Sequence, residues 1–367
     1  MKKNCVLVAI SCFLMLAAVS ARAQTPDGKP EIISLDPAMD AIVSPDAKLQ
    51  VVKSGFGFTE GLNWVHQGKT GYLVFSDVPA NVIDKLTPDG AVSVLVNESG
   101  YGGPWNGYMS LRVGHRQSNG ADRKDPLHQF MMLGSDGLTL DPQGRLVVCN
   151  YGGRSVYRID WYGNRVLLAD SYEGKRLNGP NDVVVKKDGT VYFTDTFNWA
   201  LGDKDPTTAL HSLGIYMIRD GKVTLVVNDI RTPNGLALSP DEKFLYANTS
   251  TSNTIRRYEV NADDTLTNSQ LLIDLKKENI APGERRGITD GMRVDSAGNI
   301  YSSGPIGVWV ISPDGRHIGT IRIPETFANF TFGGADDKTL YVGGVTTIYR
   351  IRLKIAGKHT GAAIGEY

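Results

Sequence analysis

Six times along this 367-residue chain, a tight turn leads into a short apolar strand that ends on small or polar residues. The copies are GYLVFSD (Gly71 to Asp77), GRLVVCN (Gly144 to Asn150), GTVYFTD (Gly189 to Asp195), FLYANT (Phe244 to Thr249), GNIYSSG (Gly298 to Gly304) and TLYVGG (Thr339 to Gly344). Roughly ten residues ahead of each stands an oxygen-bearing side chain: Glu60, Asp136, Asn181, Asn234, Asp290 and Asn329. Strand-rich units recurring at about 40 to 50 residues stack as a solenoid or close into a propeller, and this period favours the propeller. The repeats therefore predict an all-β, six-bladed β-propeller. In such a ring, matching positions of every blade surround one axis. Six oxygen-bearing positions would then meet at one mouth, an environment suited to a hard cation.

The turns agree with this layout. Thr87-Pro88-Asp89-Gly90, Asp141-Pro142-Gln143-Gly144, Lys187-Asp188-Gly189, Ser239-Pro240-Asp241, Asp295-Ser296-Ala297-Gly298 and Ser312-Pro313-Asp314-Gly315 carry hairpin chemistry. Pro or Ser presets the first bend, and Gly or Asp tolerates the positive φ of a tight reversal. The 41 Gly and 17 Pro, with no convincing amphipathic helix, fit many short strands. Two stretches break the rhythm. The first two motif strands are 73 residues apart, against about 40 to 55 for the others, because of a polar, Gly-rich insertion around residues 100–132. A shorter insertion spans 197–213. Loops on a rigid scaffold commonly carry substrate contacts. The segment from Ile32 to Val52 precedes the first motif, and part of it is expected to complete the last blade and close the ring.

The amino terminus reads as a secretory leader. Lys2 and Lys3 are followed by an apolar run, Val6 to Val19, and by Ala21-Arg22-Ala23, an A-x-A cleavage pattern. The expected organisation is a signal peptide at 1–23, a disordered segment at 24–30, a propeller domain at 31–356 and a flexible tail at 357–367. The mature chain is expected to be exported, either periplasmic or secreted. The 39 Lys and Arg balance 39 Asp and Glu, and loss of Lys2, Lys3 and Arg22 leaves a net charge of −3. That argues against nucleic acid and anionic membrane as partners. A small-molecule partner and a monomer or homodimer are expected. Of three cysteines only Cys149 survives cleavage, in an apolar strand, so an internal disulfide is impossible and a buried thiol is expected.

The residue after the oxygen-bearing position is Gly in four of six copies, consistent with a sharp turn at the channel mouth. Asn-Gly and Asp-Gly are also ordinary turn dipeptides, but the shared register of six copies favours an ion or ligand site. Two carboxylates (Glu60, Asp290) and two carboxamides (Asn181, Asn234) suit calcium, which takes six to eight oxygens. Asp136 and Asn329 fit less readily, since one ion cannot use all six. No GxxxxGK[ST] loop, G-x-S-x-G turn or closely spaced His pair occurs, which argues against a nucleotide enzyme, a serine hydrolase and a zinc site of that type.

TEGLNW (Thr59 to Trp64), RLNGPNDVVV (Arg176 to Val185), YFTD (Tyr192 to Asp195), TPNGLALSPDEKFLY (Thr232 to Tyr246) and DGMRVDSAGNIY (Asp290 to Tyr301) resemble the SMP-30/gluconolactonase family of six-bladed propellers, from about Ile33 to Leu353. The resemblance implies metal ligation by Glu60, Asn181, Asn234 and Asp290. It implies a divalent metal, usually Ca2+, with Zn2+ or Mg2+ as alternatives, and hydrolysis of sugar lactones or, among relatives, of organophosphate esters. Asp290 would activate water against a carbonyl polarised by the ion, with a nucleophilic or purely ligating role as alternatives. Asn181, Arg176, Asn178, Asp136, Trp199 and His211 are the candidate substrate contacts. Where many bacterial lactonases carry Cys-Glu-His-Gly, this chain has Cys149-Asn150-Tyr151-Gly152, which leaves substrate preference open. Two other functions stay in view: hydrolysis of another ester class, and a non-catalytic binding module built on a structural calcium.

Overall fold

The computed structural model describes residues 31–102, 132–198, 212–277, 287–358 and 361. The leader, residues 24–30, most of both insertions, and Trp199 and His211 lie outside the described residues. Among the described residues, no helix is long and apolar enough to cross a membrane.

Six antiparallel sheets follow one another along the chain as the blades of a six-bladed β-propeller. The first blade is Thr59–Gln67, Thr70–Asp77, Val82–Leu86 and Val92–Asn97. The second is Leu138–Leu140, Leu146–Asn150, Ser155–Ile159 and Arg165–Ala169. The third is Gly179–Val185, Val191–Thr196, Gly214–Arg219 and Lys222–Val227. The fourth is Pro233–Leu238, Phe244–Thr249, Thr254–Val260 and Leu266–Asp274. The fifth begins with Met292–Val294, Ile300–Ser303, Gly307–Ile311 and His317–Arg322, and the sixth with Phe327–Gly333, Thr339–Gly344 and Thr347–Arg352. The first strand of every blade is innermost and touches the first strands of both neighbours, so the ring is closed.

The amino-terminal segment makes that closure. Gln50–Ser54 pairs antiparallel with Thr347–Arg352 as the outer strand of the sixth blade. Ile32–Ser34 adds a fifth strand to the fifth blade, against His317–Arg322, a pairing that the repeat pattern does not foretell. Between them the short helix Met39–Ile42 buries Met39 and Ile42 among residues of blades five and six. Both exposed sheet edges are thereby covered by one stretch of chain.

The recurring motif strand is the second of each blade, and it is apolar on both faces because it lies between neighbouring sheets. Separate apolar clusters fill the wedges between successive blades, for example Val147, Val183 and Phe193 between the second and third, and Tyr192, Ile215 and Leu236 between the third and fourth. Cys149 is free, fully buried in one of these wedges, and burial pushes its thiol well up. At the lower end, where hairpins join inner and second strands, the chain after Leu353 crosses beneath the ring. Lys358 N–H donates to Val294 O (2.8 Å) and its Nζ to Ser239 O (3.1 Å), 3.7 Å from Glu242. Above it lies a cavity of about 60 Å³ lined from all six inner strands, among them Asn63, Thr139, Val184, Ala237, Arg293 and Thr331.

Candidate functional site

The six oxygen-bearing residues stand at the upper ends of the inner strands. In the first, third, fourth and sixth blades the pairing register shifts at or beside that residue, between Glu60 and Asn63, Pro180 and Val183, Pro233 and Leu236, and Phe327 and Asn329. A bulge re-aims one side chain without displacing the rest of the strand. The glycines that follow have a reason other than a sharp turn. Only Gly61 has positive φ (+58°). A Cβ on Gly61 would lie 2.4 Å from Asp136 O, on Gly137 2.5 Å from Asn181 O, on Gly235 2.0 Å from Asp290 O, and on Gly291 2.7 Å from Asn329 Cγ. Each glycine lets its blade abut the oxygen-bearing residue of the next.

Glu60 is 3 % exposed, and its Oε2 accepts from Gly61 N–H and Asn329 Nδ2, both at 3.0 Å. Asn329 is committed at its other end too, its Oδ1 accepting from Phe330 N–H (2.8 Å). It supports Glu60 and has no carbonyl turned to the centre. Asp136 Oδ2 accepts from Asn181 Nδ2 (2.8 Å), which fixes which end of that amide faces away. Asn234 Nδ2 donates to Ser250 Oγ (2.9 Å), and the same amide bonds the Asp290 carboxylate. Its Oδ1 is buried without a hydrogen-bond partner. Asp290 N–H donates to Ser303 Oγ (2.6 Å), so its backbone is held while the carboxylate points inward among the other acids.

Electrostatics couple these groups by mutual repulsion. Burial, then the charges of Glu60, Asp290 and Asp182, hold the Asp136 carboxyl well above the usual carboxylate range. Burial, then Glu60 and Asp182, does the same to Asp290. Glu60 is pushed up to about 7, chiefly by burial, against the lowering effect of its two hydrogen bonds. Crowded acids raising one another is the pattern of a site built around positive charge.

Two members escaped the sequence reading. Asp182, next to Asn181, points the other way, into the channel. Its two oxygens accept from Val183 N–H and Leu236 N–H, both at 2.9 Å. Arg293, three residues after Asp290, sends Nη2 across the channel to Leu62 O (2.8 Å) and balances Asp182 and Glu60 from below. Alternation gave no signal for either: the register shift between Pro180 and Val183 interrupts it at Asp182, and Asp290 lies ahead of the strand Met292–Val294 that carries Arg293. Of the candidate substrate contacts, Arg176 is exposed with Nη2 on Gly153 O (3.0 Å). Asn178 is buried, its backbone and side-chain N–H groups donated to Asp195.

Among the described residues, no three or more His, Cys, Asp and Glu side chains form a cage that could by itself hold a metal. The donor set is instead mixed: carboxylates of Glu60 and Asp290, carboxamides of Asn181 and Asn234. It fits a hard cation on two counts. Both amides have their NH2 groups engaged, which leaves their carbonyl oxygens as the ends able to meet a cation. A buried carbonyl lacking any donor, as Asn234 Oδ1 does, is costly unless something positive meets it.

Residues 58–347 match the model of the SMP-30/gluconolactonase/LRE-like region, and the chain belongs to that family. It is 31 % identical over 365 residues to a gluconolactonase of Zymomonas mobilis, covering 96 % of each chain. It is 30 % identical over 213 residues to a pentonolactonase of Haloferax volcanii, covering 56 % of this chain and 65 % of that one. Among solved structures, a gluconolactonase from Xanthomonas campestris aligns with a TM-score of 0.68 at 27 % identity, covering 89 % of this chain and 95 % of the other.

Proposed function

We propose that this member of the SMP-30/gluconolactonase family opens sugar-type lactones with a divalent cation, most simply Ca2+, held by Glu60, Asn181, Asn234 and Asp290. The family match and the full-length likeness to a gluconolactonase support the coarser reading, a gluconolactonase-like lactone hydrolase. The finer reading rests on one observation: the donor-less, buried Oδ1 of Asn234 beside mutually repelling acids.

When bound, the ion would supply Lewis-acid polarisation of the lactone carbonyl. The chain's own residues do the remainder. Asp290 takes a proton from the attacking water at its carboxylate and returns it to the ring oxygen as the C–O bond breaks, which leaves an aldonic acid that releases its carboxyl proton to solvent as the aldonate forms. Its burial, with Glu60 and Asp182 near, makes that carboxylate a better proton acceptor than a solvated one, and the cation offsets part of this. Glu60 anchors the charge, its orientation set by Asn329. Asp136 holds the Asn181 amide so that the carbonyl faces the centre. Exposed Arg176, with Trp199 and His211, is the proposed contact for sugar hydroxyls. The leader-like start supports export of the mature enzyme, periplasmic or secreted, as part of this reading.

A panel of aldonolactones, aryl esters and phosphotriesters, assayed before and after chelation and after metal add-back, tests it. Turnover of gluconolactone or a related aldonolactone is expected, abolished by chelator and restored by Ca2+. Absence of metal-dependent turnover on every lactone, with esters hydrolysed instead, would transfer the site to another ester class.

A further inference from the structure

The ends of the motif strands still lack a purpose. These residues lie in the second strand, one layer back from the channel, yet several are polar and fully buried: Ser76, Thr194 and Asn248 are each 0 % exposed. Their hydrogen bonds cross between blades. Ser76 Oγ donates to the backbone O of Asp136 in the second blade (2.9 Å). Thr194 Oγ1 donates to the backbone O of Asn234 in the fourth (2.9 Å), and Asn248 Nδ2 to that of Asp290 in the fifth (2.5 Å). In every case the acceptor belongs to the oxygen-bearing residue of the following blade.

Two of them also reach back. Thr194 Oγ1 accepts from Asp182 N–H (3.0 Å), the residue after Asn181, and Asn248 Oδ1 accepts from Gly235 N–H (3.0 Å), the residue after Asn234. The result is one continuous relay, from the Asn181 turn through Thr194 to Asn234, then through Asn248 to Asp290. Three of the four proposed ligands thus share a hydrogen-bonded chain of side chains that never touch the centre. From this geometry we infer that Thr194 and Asn248 are positioning residues: they set the spacing of Asn181, Asn234 and Asp290, and thereby the affinity for the cation. The inference rests on the metal reading above.

Each relay residue satisfies a buried N–H and a buried carbonyl in a single side chain, and neither group has room to move where Gly235 abuts Asp290 O. Groups that orient ligands from behind typically change metal affinity by roughly ten- to a hundredfold when removed. The measurement is Ca2+ affinity of the purified full chain by titration calorimetry, together with melting in chelator. Thr194→Val keeps the shape and deletes both bonds; Thr194→Ser keeps the hydroxyl; Asn248→Leu cuts the second link and decides the matter if the first variant does not fold. Thr190→Val is the control. It immediately precedes the strand of Thr194, is buried, and its hydroxyl bonds Asp264 (3.0 Å), far down the blade.

Thr194→Val and Asn248→Leu are expected to weaken Ca2+ binding roughly tenfold or more, Thr190→Val less than about twofold, and Thr194→Ser to recover most of the loss. If Thr194→Val binds Ca2+ no worse than Thr190→Val, or if serine fails to rescue, the relay is only a buried structural contact and the inference is wrong. A wild-type chain that binds no divalent cation would overturn the metal reading itself, a separate result.

Discussion

Where hairpins close the inner strands at the lower end of the propeller, Asp141 accepts from Gln143 N–H, Arg145 N–H and Arg145 Nε at 2.7–3.0 Å. Asp295 accepts from Ala297, Asn299 and Tyr301, and Asp264 is met by Lys186, Arg219 and Thr190. At the upper end Glu60, Asp136, Asp182 and Asp290 face one another, with Arg293 the guanidinium that reaches Glu60 and Asp182 from below. Residue type does not separate these groups. What separates them is their surroundings: below, each acid is met by donors from its own turn or a neighbouring blade, and above, the acids crowd one another in a buried setting. A carboxylate whose partners are already in place holds the fold, whereas one surrounded by other carboxylates is available for chemistry.

The sharpest way to break that contrast is to neutralise one acid at each end. Asp290→Asn should lower lactone turnover by roughly a hundred- to ten-thousandfold with the circular dichroism spectrum unchanged. An active variant would move the base elsewhere. Asp264→Asn should do the reverse. Leaving Lys186 and Arg219 beside a neutral amide in a site 2 % exposed should cost about 3–5 kcal/mol of stability in denaturant melts, while Ca2+ affinity stays within about twofold. Should Asp264→Asn abolish cation binding, the two ends are not independent.

A finer probe uses pH. Asp195, at the site end of the third blade, is fully buried, and burial pushes it up to about 7 despite the N–H groups of Asn178 and Gly179. Its folded pKa stands above its unfolded one, so between about pH 4 and pH 7 the folded state keeps a proton that the unfolded state has released. Stability therefore falls as pH rises through that window and levels off above it. The melting temperature of Ca2+-loaded protein should trace this slope, and Asp195→Asn should flatten it. The smallest effect belongs to the exposed pair of Arg352 and Asp336 at a surface turn. Arg352→Ala should cost about 0.5 kcal/mol and leave turnover untouched.

Much of this architecture was legible in the chain because repetition converts local pattern into geometry. Six motif strands foretold six blades, and the oxygen-bearing register foretold which residues would share a mouth. The unmatched segment before the first motif foretold closure, realised by Gln50–Ser54. The remainder depended on contacts between blades, which no single repeat encodes. Ile32–Ser34 joins the fifth blade because that edge was open, not because of its own composition. Arg293 reads as an ordinary strand arginine until the ring closes and Leu62 O lies opposite. Asn329 matches the register yet turns to brace Glu60, since Oδ1 is captured by its own neighbour's N–H. The glycines were read as bends, yet all four are clearances, and only Gly61 also takes a positive φ.

Closure by the amino-terminal strands has a temporal side. Ile32–Ser34 and Gln50–Ser54 are synthesised before any blade, yet their partners, His317–Arg322 and Thr347–Arg352, come almost last. For most of translation these strands have nowhere to dock, and two sheets stay incomplete until both extremities of the polypeptide meet. Trimming either extremity therefore damages the same pair of blades, one of which supplies Asp290.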